Sequence, residues 1–364
     1  MKQLNWLLVF IPVAIALDWM GANSILVFLT AALAIVPLAG LMGDATEALA
    51  EYLGPTLGGL LNATLGNAPE IIIALFALHR GLIDVVKASL TGSIVGNLLF
   101  GLGASMIAGG IKVREQKFDS NVAHMNGALL TLASFGLIIP AIYRNSKFAQ
   151  AEPSREVSLE ISAILFLVYL ASLVFTLVTR KAVVGQAGVE AEKEEAGAGR
   201  WQVLEAEEKV GWSRSKALGI LALVTIALAI MSEVLTGALD PAAEKMHLTP
   251  RFAGVFLLAL VGNAAELFNA IRFARRDKMD LAIGITVGAS TQVALLVAPV
   301  LVFAGYFMGQ DMNLLVSPYE MWAIIMAVYV ARNLIYDGSS NWLEGLVLIA
   351  LYFMLGIGFF YLPA

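Results

Sequence analysis

The chain has 364 residues, of which 59% are hydrophobic and only 14% charged; that charged share is far below the norm for soluble domains, which places the chain in lipid and excludes a soluble α/β enzyme. The formal charge of −5 sits in short connectors and one long hydrophilic stretch, leaving no basic surface for nucleic acid. With no cysteine present, disulfides, thiolate metal sites and cysteine nucleophiles are excluded as well.

In chain order, an apolar stretch predicts a helix at 4–20, preceded only by Lys2 and followed by no small-x-small cleavage site, so it is expected to stay attached. A second helix is expected at 24–52, with Asp44, Glu47 and Glu51 spaced along one face, and Gly54-Pro55 reads as the turn after it. Further helices are expected at 55–79, 82–110, 120–143 and 156–180. The hydrophilic stretch 181–213 follows, with two acidic clusters made by Glu190, Glu192, Glu194, Glu195 and by Glu205, Glu207, Glu208. It reads either as a solvated connector or as an acidic helix that senses cations, binding regulatory Ca2+. Helices then recur at 214–237, 249–273, 279–308, 315–336 and 341–361, for about eleven transmembrane segments in an all-α integral membrane protein.

Basic residues orient this array. With the N-terminus in the cytosol, sixteen of the 23 Lys and Arg fall on the cytosolic side, and so does the acidic linker. The opposite side keeps Arg80, Lys87, Arg144, Lys147, Arg155, Lys245 and Arg251.

An internal repeat organises the chain. Gly66-Asn67-Ala68-Pro69-Glu70 returns as Gly262-Asn263-Ala264-Ala265-Glu266, an offset of 196 residues (262 − 66). At the same offset Ala74 matches Ala270, Asp84 matches Asp280 and Gly92 matches Gly288, with no gap. The second motif helix is the fifth span after the first, and an odd step reverses its direction, so the halves are expected to be inverted repeats of the kind that alternate access in secondary transporters. The resulting division is an extra N-terminal helix (1–23), a first five-helix repeat (24–180), the linker (181–213) and a second, inverted five-helix repeat (214–364).

A carboxylate at mid-membrane is disfavoured by about 2.5–3.5 kcal/mol, so two at equivalent depths need a reason. Glu70 and Glu266 together offer two negative charges, enough for one divalent ion, and hard oxygen ligands suit Ca2+. Calcium takes about six to eight oxygens, so neutral groups are needed too. Backbone carbonyls loosened around Gly66 with Pro69 and around Gly262, and the side chains of Asn67, Asn263, Ser93, Asn97, Ser290, Thr291 and Gln292, are the candidates. The same carboxylates can hold protons instead, so cation and proton would compete for one site, which is the thermodynamic core of antiport. Thr46-Glu47 and Ser232-Glu233 look like repeat mates; Glu47 and Glu233 either line the pathway or are interfacial groups. No role is assigned to His79, His124 or His247, and no resident cofactor is expected.

At these residues the sequence resembles the cation/proton exchanger family within the calcium/cation antiporter superfamily. The resemblance rests on the stretch from Gly54 to Glu70, on Gly92-Ser93-Ile94-Val95-Gly96-Asn97, on Gly262 to Glu266, and on Gly288 to Gln292 with Pro299. It implies eleven helices with an extra N-terminal one, a cytosolic acidic helix between the halves, Ca2+ bound by the two glutamates, and protons as counter-ion. Two positions depart from the family pattern, Ala289 and Gly96. The expected membrane is the plasma membrane in a prokaryote and a vacuolar or other organellar membrane in a eukaryote. The alternatives are a sodium/calcium exchanger of the same fold and a passive cation channel. An intramembrane hydrolase is disfavoured, since no Gly-x-Gly-Asp pair or His-Glu-x-x-His occurs.

Overall fold

The computed structural model describes residues 2–111, 113–145, 154–176 and 211–362. The acidic clusters of 190–208 lie outside the described residues. Helices dominate, as a lipid environment requires, because each spanning segment satisfies its own backbone. We number them α1 (Leu4–Trp19), α2 (Ser24–Gly54), α3 (Leu57–Leu65), α4 (Ala68–His79), α5 (Ile83–Gly110), α6 (Ser120–Asn145) and α7 (Ser154–Val174). After the linker come α8 (Arg214–Lys245), α9 (Pro250–Gly262), α10 (Ala264–Ala274), α11 (Met279–Met308), α12 (Pro318–Leu334) and α13 (Trp342–Tyr361).

Local sequence sets the helix starts. Asn23 caps α2 by accepting from Ile25 N–H at 3.0 Å. Thr249, followed by Pro250, caps α9 by accepting from Phe252 N–H at 3.2 Å. Capping boxes open α12 (Ser317 with Glu320) and α13 (Asn341 with Glu344). The predicted turn at Gly54 is real: its φ of 76° and ψ of 175° lie where side-chain-bearing residues are strained, so only glycine ends α2 there without penalty.

Among the described residues seven helices are each long and apolar enough to cross a membrane, and two bent pairs, α3–α4 and α9–α10, pass together. The remaining expected segments, α1 and α12, are shorter. The protein is therefore a multi-pass membrane protein. Burial separates inner from outer helices: 78% of the apolar window of α5 and 67% of that of α11 are buried, against 22% for α7 and 28% for α13. So α5 and α11 form the centre, and α7, α8 and α13 turn wide faces to lipid. The N-terminal α1 packs at the periphery against α2 and α8.

Close helix crossings rely on glycine, as packing in lipid favours. A Cβ on Gly92 of α5 would lie 2.1 Å from the Val255 carbonyl oxygen of α9, and one on Gly254 would lie 2.5 Å from the Val85 carbonyl oxygen. Likewise Gly103 of α5 and Gly345 of α13 touch backbone to backbone.

The two motif helices run in opposite directions. From α3–α4 the chain turns at 80–82 and runs back along α5, a 28-residue span of roughly 42 Å at 1.5 Å per residue. Just beyond its far end, Gln116 donates from Nε2 to the Ala274 carbonyl and to Asp277 Oδ1, both at 2.9 Å. Ala274 is the last residue of α10, so the second motif helix ends on the face opposite the first. The same face holds a small antiparallel pairing of β1 (Gln116–Lys117) with β2 (Ser339–Ser340), joining connectors that the basic-residue count puts in the cytosol.

Candidate functional site

Both motif helices break at the repeated asparagine. α3 and α4 meet at 41° around Gly66-Asn67, and α9 and α10 at 60° around Asn263. The second copy bends more although it has Ala265 where the first has Pro69. Proline is therefore not the cause of the bend; Pro69 sits in the first turn of α4, where a missing N–H removes one donor that the helix cannot pair. Each glutamate lies in the first turn after its break, Glu70 in α4 and Glu266 in α10. Helix N-termini carry partial positive charge, which offsets part of the cost of a carboxylate at this depth.

The two halves meet at the glutamates. A Cβ on Gly262, at the second break, would lie 3.4 Å from Glu70 Cγ. Glu70 is 8% exposed. In each glutamate Oε2 is buried with no hydrogen-bond partner, and so is Oδ1 of Asn97. Three buried acceptor oxygens without donors are what a cation or a proton would satisfy and what a purely structural polar contact would avoid.

The neutral side chains pair across the halves. Asn67 donates from Nδ2 to Gln292 Oε1 at 2.5 Å, linking the first break to the end of the α-helical part of α11. In mirror fashion Asn263 Oδ1 accepts from Asn97 Nδ2 at 2.8 Å, while Asn263 Nδ2 donates to Ser93 Oγ at 2.7 Å, both on α5. Each motif asparagine is thus held by the second helix of the opposite half. Gln292 matches Gly96 by offset, yet Asn97, one position on, has the corresponding job. Each asparagine also folds back on the carbonyl four residues earlier, Asn263 on Ala259 at 2.7 Å and Asn67 on Ala63 at 3.4 Å.

The other predicted residues sit as follows. Gly66 and Gly262 end the first half-helices, and a Cβ on Gly66 would press on the Asn62 carbonyl at 2.8 Å. Ser290 is fully buried and donates to the Thr286 carbonyl at 2.9 Å, with the Ile94 carbonyl of α5 at 3.4 Å. Thr291 donates to the Val287 carbonyl at 2.8 Å. Glu47 is half-buried on α2 and Glu233 is exposed on α8. Thr46 and Ser232, beside them, are both fully buried, and α2 packs along α8. Among the described residues no cluster of three or more His, Cys, Asp or Glu is placed to hold a metal; the carboxylate set is the glutamate pair.

Sequence reading missed three features. Wide π-helical turns follow the site helices in both halves, at Gly96–Gly101 and Val293–Val297, and a third lies at Ala253–Leu258 in α9; such turns often mark functional sites. Gln116, 1% exposed, looks in sequence like any polar loop residue. Tyr169 of α7 donates to the Ala63 carbonyl at 3.1 Å, beside the first break, and nothing in its local sequence signals this.

Known proteins place the architecture. The family model for the sodium/calcium exchanger protein matches residues 23–178 and 216–361. Similar relatives include a Ca(2+)/H(+) antiporter of Aphanothece halophytica, 42% identical over 98% of this chain and 96% of that protein. Another is the Ca(2+)/H(+) antiporter ChaA of Bacillus subtilis, 40% identical over 97% of both. The solved structure of native YfkE superposes with a TM-score of 0.82 at 35% identity, covering 99% of this chain and 100% of that one. The H+/Ca2+ exchanger CAX shares the fold at a TM-score of 0.72 and 14% identity, over 99% of this chain and 91% of that one. With both motif segments inside the matched ranges, the chain belongs to the sodium/calcium exchanger protein family.

Proposed function

We propose that this protein exchanges Ca2+, or a related divalent cation, for H+ across a membrane by alternating access, with Glu70 and Glu266 shared by cation and protons. The observation that carries this is the pair of glutamates on oppositely running broken helices, each with a buried acceptor oxygen that no protein donor fills. Two carboxylates can be neutralised by one divalent ion or by protons, and the cost of leaving both bare at mid-membrane discourages reorientation with neither. The names of the relatives, Ca(2+)/H(+) antiporters over nearly their whole length, favour the same reading.

In this reading Asn97, Asn67, Asn263, Ser93, Ser290 and Gln292 complete or frame the site with Gly66 and Gly262, whose carbonyls lie at the breaks. Glu47 and Glu233 line the approaches. The chain divides into the N-terminal helix, two inverted five-helix repeats and a cytosolic linker. The test is proton-gradient-driven calcium flux in vesicles for wild type, Glu70→Gln and Glu266→Gln. Both variants are expected to lose exchange, and retained flux in either overturns the shared site. Flux driven by sodium at fixed pH would favour a sodium/calcium exchanger instead, and uptake without any counter-ion gradient would favour a channel. The acidic clusters of the linker are proposed to bind regulatory Ca2+. Deleting 190–208 is expected to flatten the dependence of rate on cytosolic calcium, and an unchanged dependence refutes that role.

A further inference from the structure

The two half-sites differ in how their helix breaks are held. In the second half, the Ala259 carbonyl, one turn before the break, accepts the Asn263 N–H at 3.0 Å and Asn263 Nδ2 at 2.7 Å. In the first half, the equivalent Ala63 carbonyl (259 − 196) accepts a hydroxyl from outside its own helix, Tyr169 Oη at 3.1 Å, and Asn67 Nδ2 stands off at 3.4 Å. Among the described residues no tyrosine hydroxyl reaches Ala259. A carbonyl oxygen has two lone pairs; in the second half both go to Asn263, whereas in the first one of them takes a hydroxyl from another helix. The Asn67 amide, held loosely from behind, commits forward to Gln292 at 2.5 Å.

Tyr169 is well placed to impose this. It is 4% exposed, and its ring lies against Phe166, whose ring in turn meets Phe303 edge-on. With the ring packed, the hydroxyl has little freedom, and α7 reports its position directly to the last turn of α3.

We infer that Tyr169 is a positioning residue of the first half-site, which by bonding the Ala63 carbonyl ties the last turn of α3 to α7 and sets the orientation of the turn that carries Asn67 and Glu70. The inference rests on the exchange reading above for its transport assays. Without the hydroxyl, the Ala63 carbonyl loses its donor from α7, and the turn at the first break shifts, carrying Asn67 and Glu70 with it. The geometry of the first half-site then changes, and with it its balance between cation and proton.

The test compares wild type, Tyr169→Phe, Tyr169→Trp and the control Tyr319→Phe, whose hydroxyl donates to the Leu355 carbonyl away from the breaks. Radioactive calcium binding to purified protein and calcium flux across a range of pH are measured alongside thermal melts. Tyr169→Phe is expected to weaken calcium binding and raise the calcium KM together, about three- to tenfold, the equivalent of losing one hydrogen bond. Its kcat is expected within twofold of wild type, with the pH profile displaced. Tyr169→Trp, which keeps an N–H donor at the far edge of the ring, is expected to lie nearer wild type, and it decides the matter alone if Tyr169→Phe does not fold. Wild-type KM and pH profile in Tyr169→Phe, or equal displacement in Tyr169→Trp or Tyr319→Phe, overturn the inference. Wild-type protein that binds calcium without proton-driven flux would instead defeat the exchange reading, leaving the binding comparison to judge Tyr169.

Discussion

Gly92→Ala tests how closely the two halves are coupled. The new Cβ would lie 2.1 Å from the Val255 carbonyl oxygen, 2.6 Å from its Cα and 2.7 Å from its carbonyl carbon. All three are backbone atoms inside α9, so no rotamer change can make room. Restoring even a tight 3.0 Å contact needs α5 and α9 to part by about 0.9 Å, in an interior packed without slack. The bonds from Asn263 to Ser93 and Asn97, now 2.7 and 2.8 Å, would stretch to roughly 3.6 Å, past hydrogen-bond range. Overpacking costs about 1–3 kcal/mol, and each lost buried bond about 1 kcal/mol. The equivalent Gly288 has nothing within 4 Å of a built Cβ, which makes Gly288→Ala the matched control. Thermal melts in detergent and proton-driven calcium flux in vesicles are the assays. Gly92→Ala is expected to melt lower and to lose at least about tenfold in flux, 1.4 kcal/mol being a factor of ten, while Gly288→Ala stays near wild type. If Gly92→Ala melts and transports like wild type, the argument that this crossing sets the site geometry is wrong.

Gln292→Ala removes the 2.5 Å partner of Asn67 and leaves that amide only its long bond to Ala63. The calcium KM should rise about three- to tenfold, and an unchanged KM from initial rates would count against the crossed pairing. Gly54→Ala acts through backbone alone, because a Cβ there meets nothing within 4 Å while φ is 76°. It should cost about 1–3 kcal/mol, read as a lower melting temperature, whereas Gly219→Ala in mid-helix with equally open space should be neutral or stabilising by up to about 1 kcal/mol. Equal melts for the two would refute strain at the turn.

Much of the site was legible because it is written twice. The offset of 196 pairs Asn67 with Asn263 and Glu70 with Glu266, and hydropathy places both pairs within apolar spans. The same register extends to the turns after the motif helices, where Gly81 and Asp277 (81 + 196) both have positive φ, at 76° and 59°. Composition likewise located the apolar spans, since a segment in lipid has to be apolar and has to satisfy its own backbone.

Which groups face which was decided by the tertiary structure alone. Glu70 meets the second break because glycines at 92 and 254 let α5 and α9 touch backbone to backbone; neither residue announces its partner. Asn67 turns to Gln292, and Asn263 to Ser93 and Asn97, because an amide bonds the donor or acceptor that packing brings near, not its sequence neighbour. Tyr169, Gln116 and the π-turns act only through such contacts. The sequence by itself therefore determined the membrane class, the repeat and the two glutamates, all properties of linear pattern. The unequal furnishing of the half-sites, with a tyrosine hydroxyl on the Ala63 carbonyl and, among the described residues, none on Ala259, required the helices to be assembled.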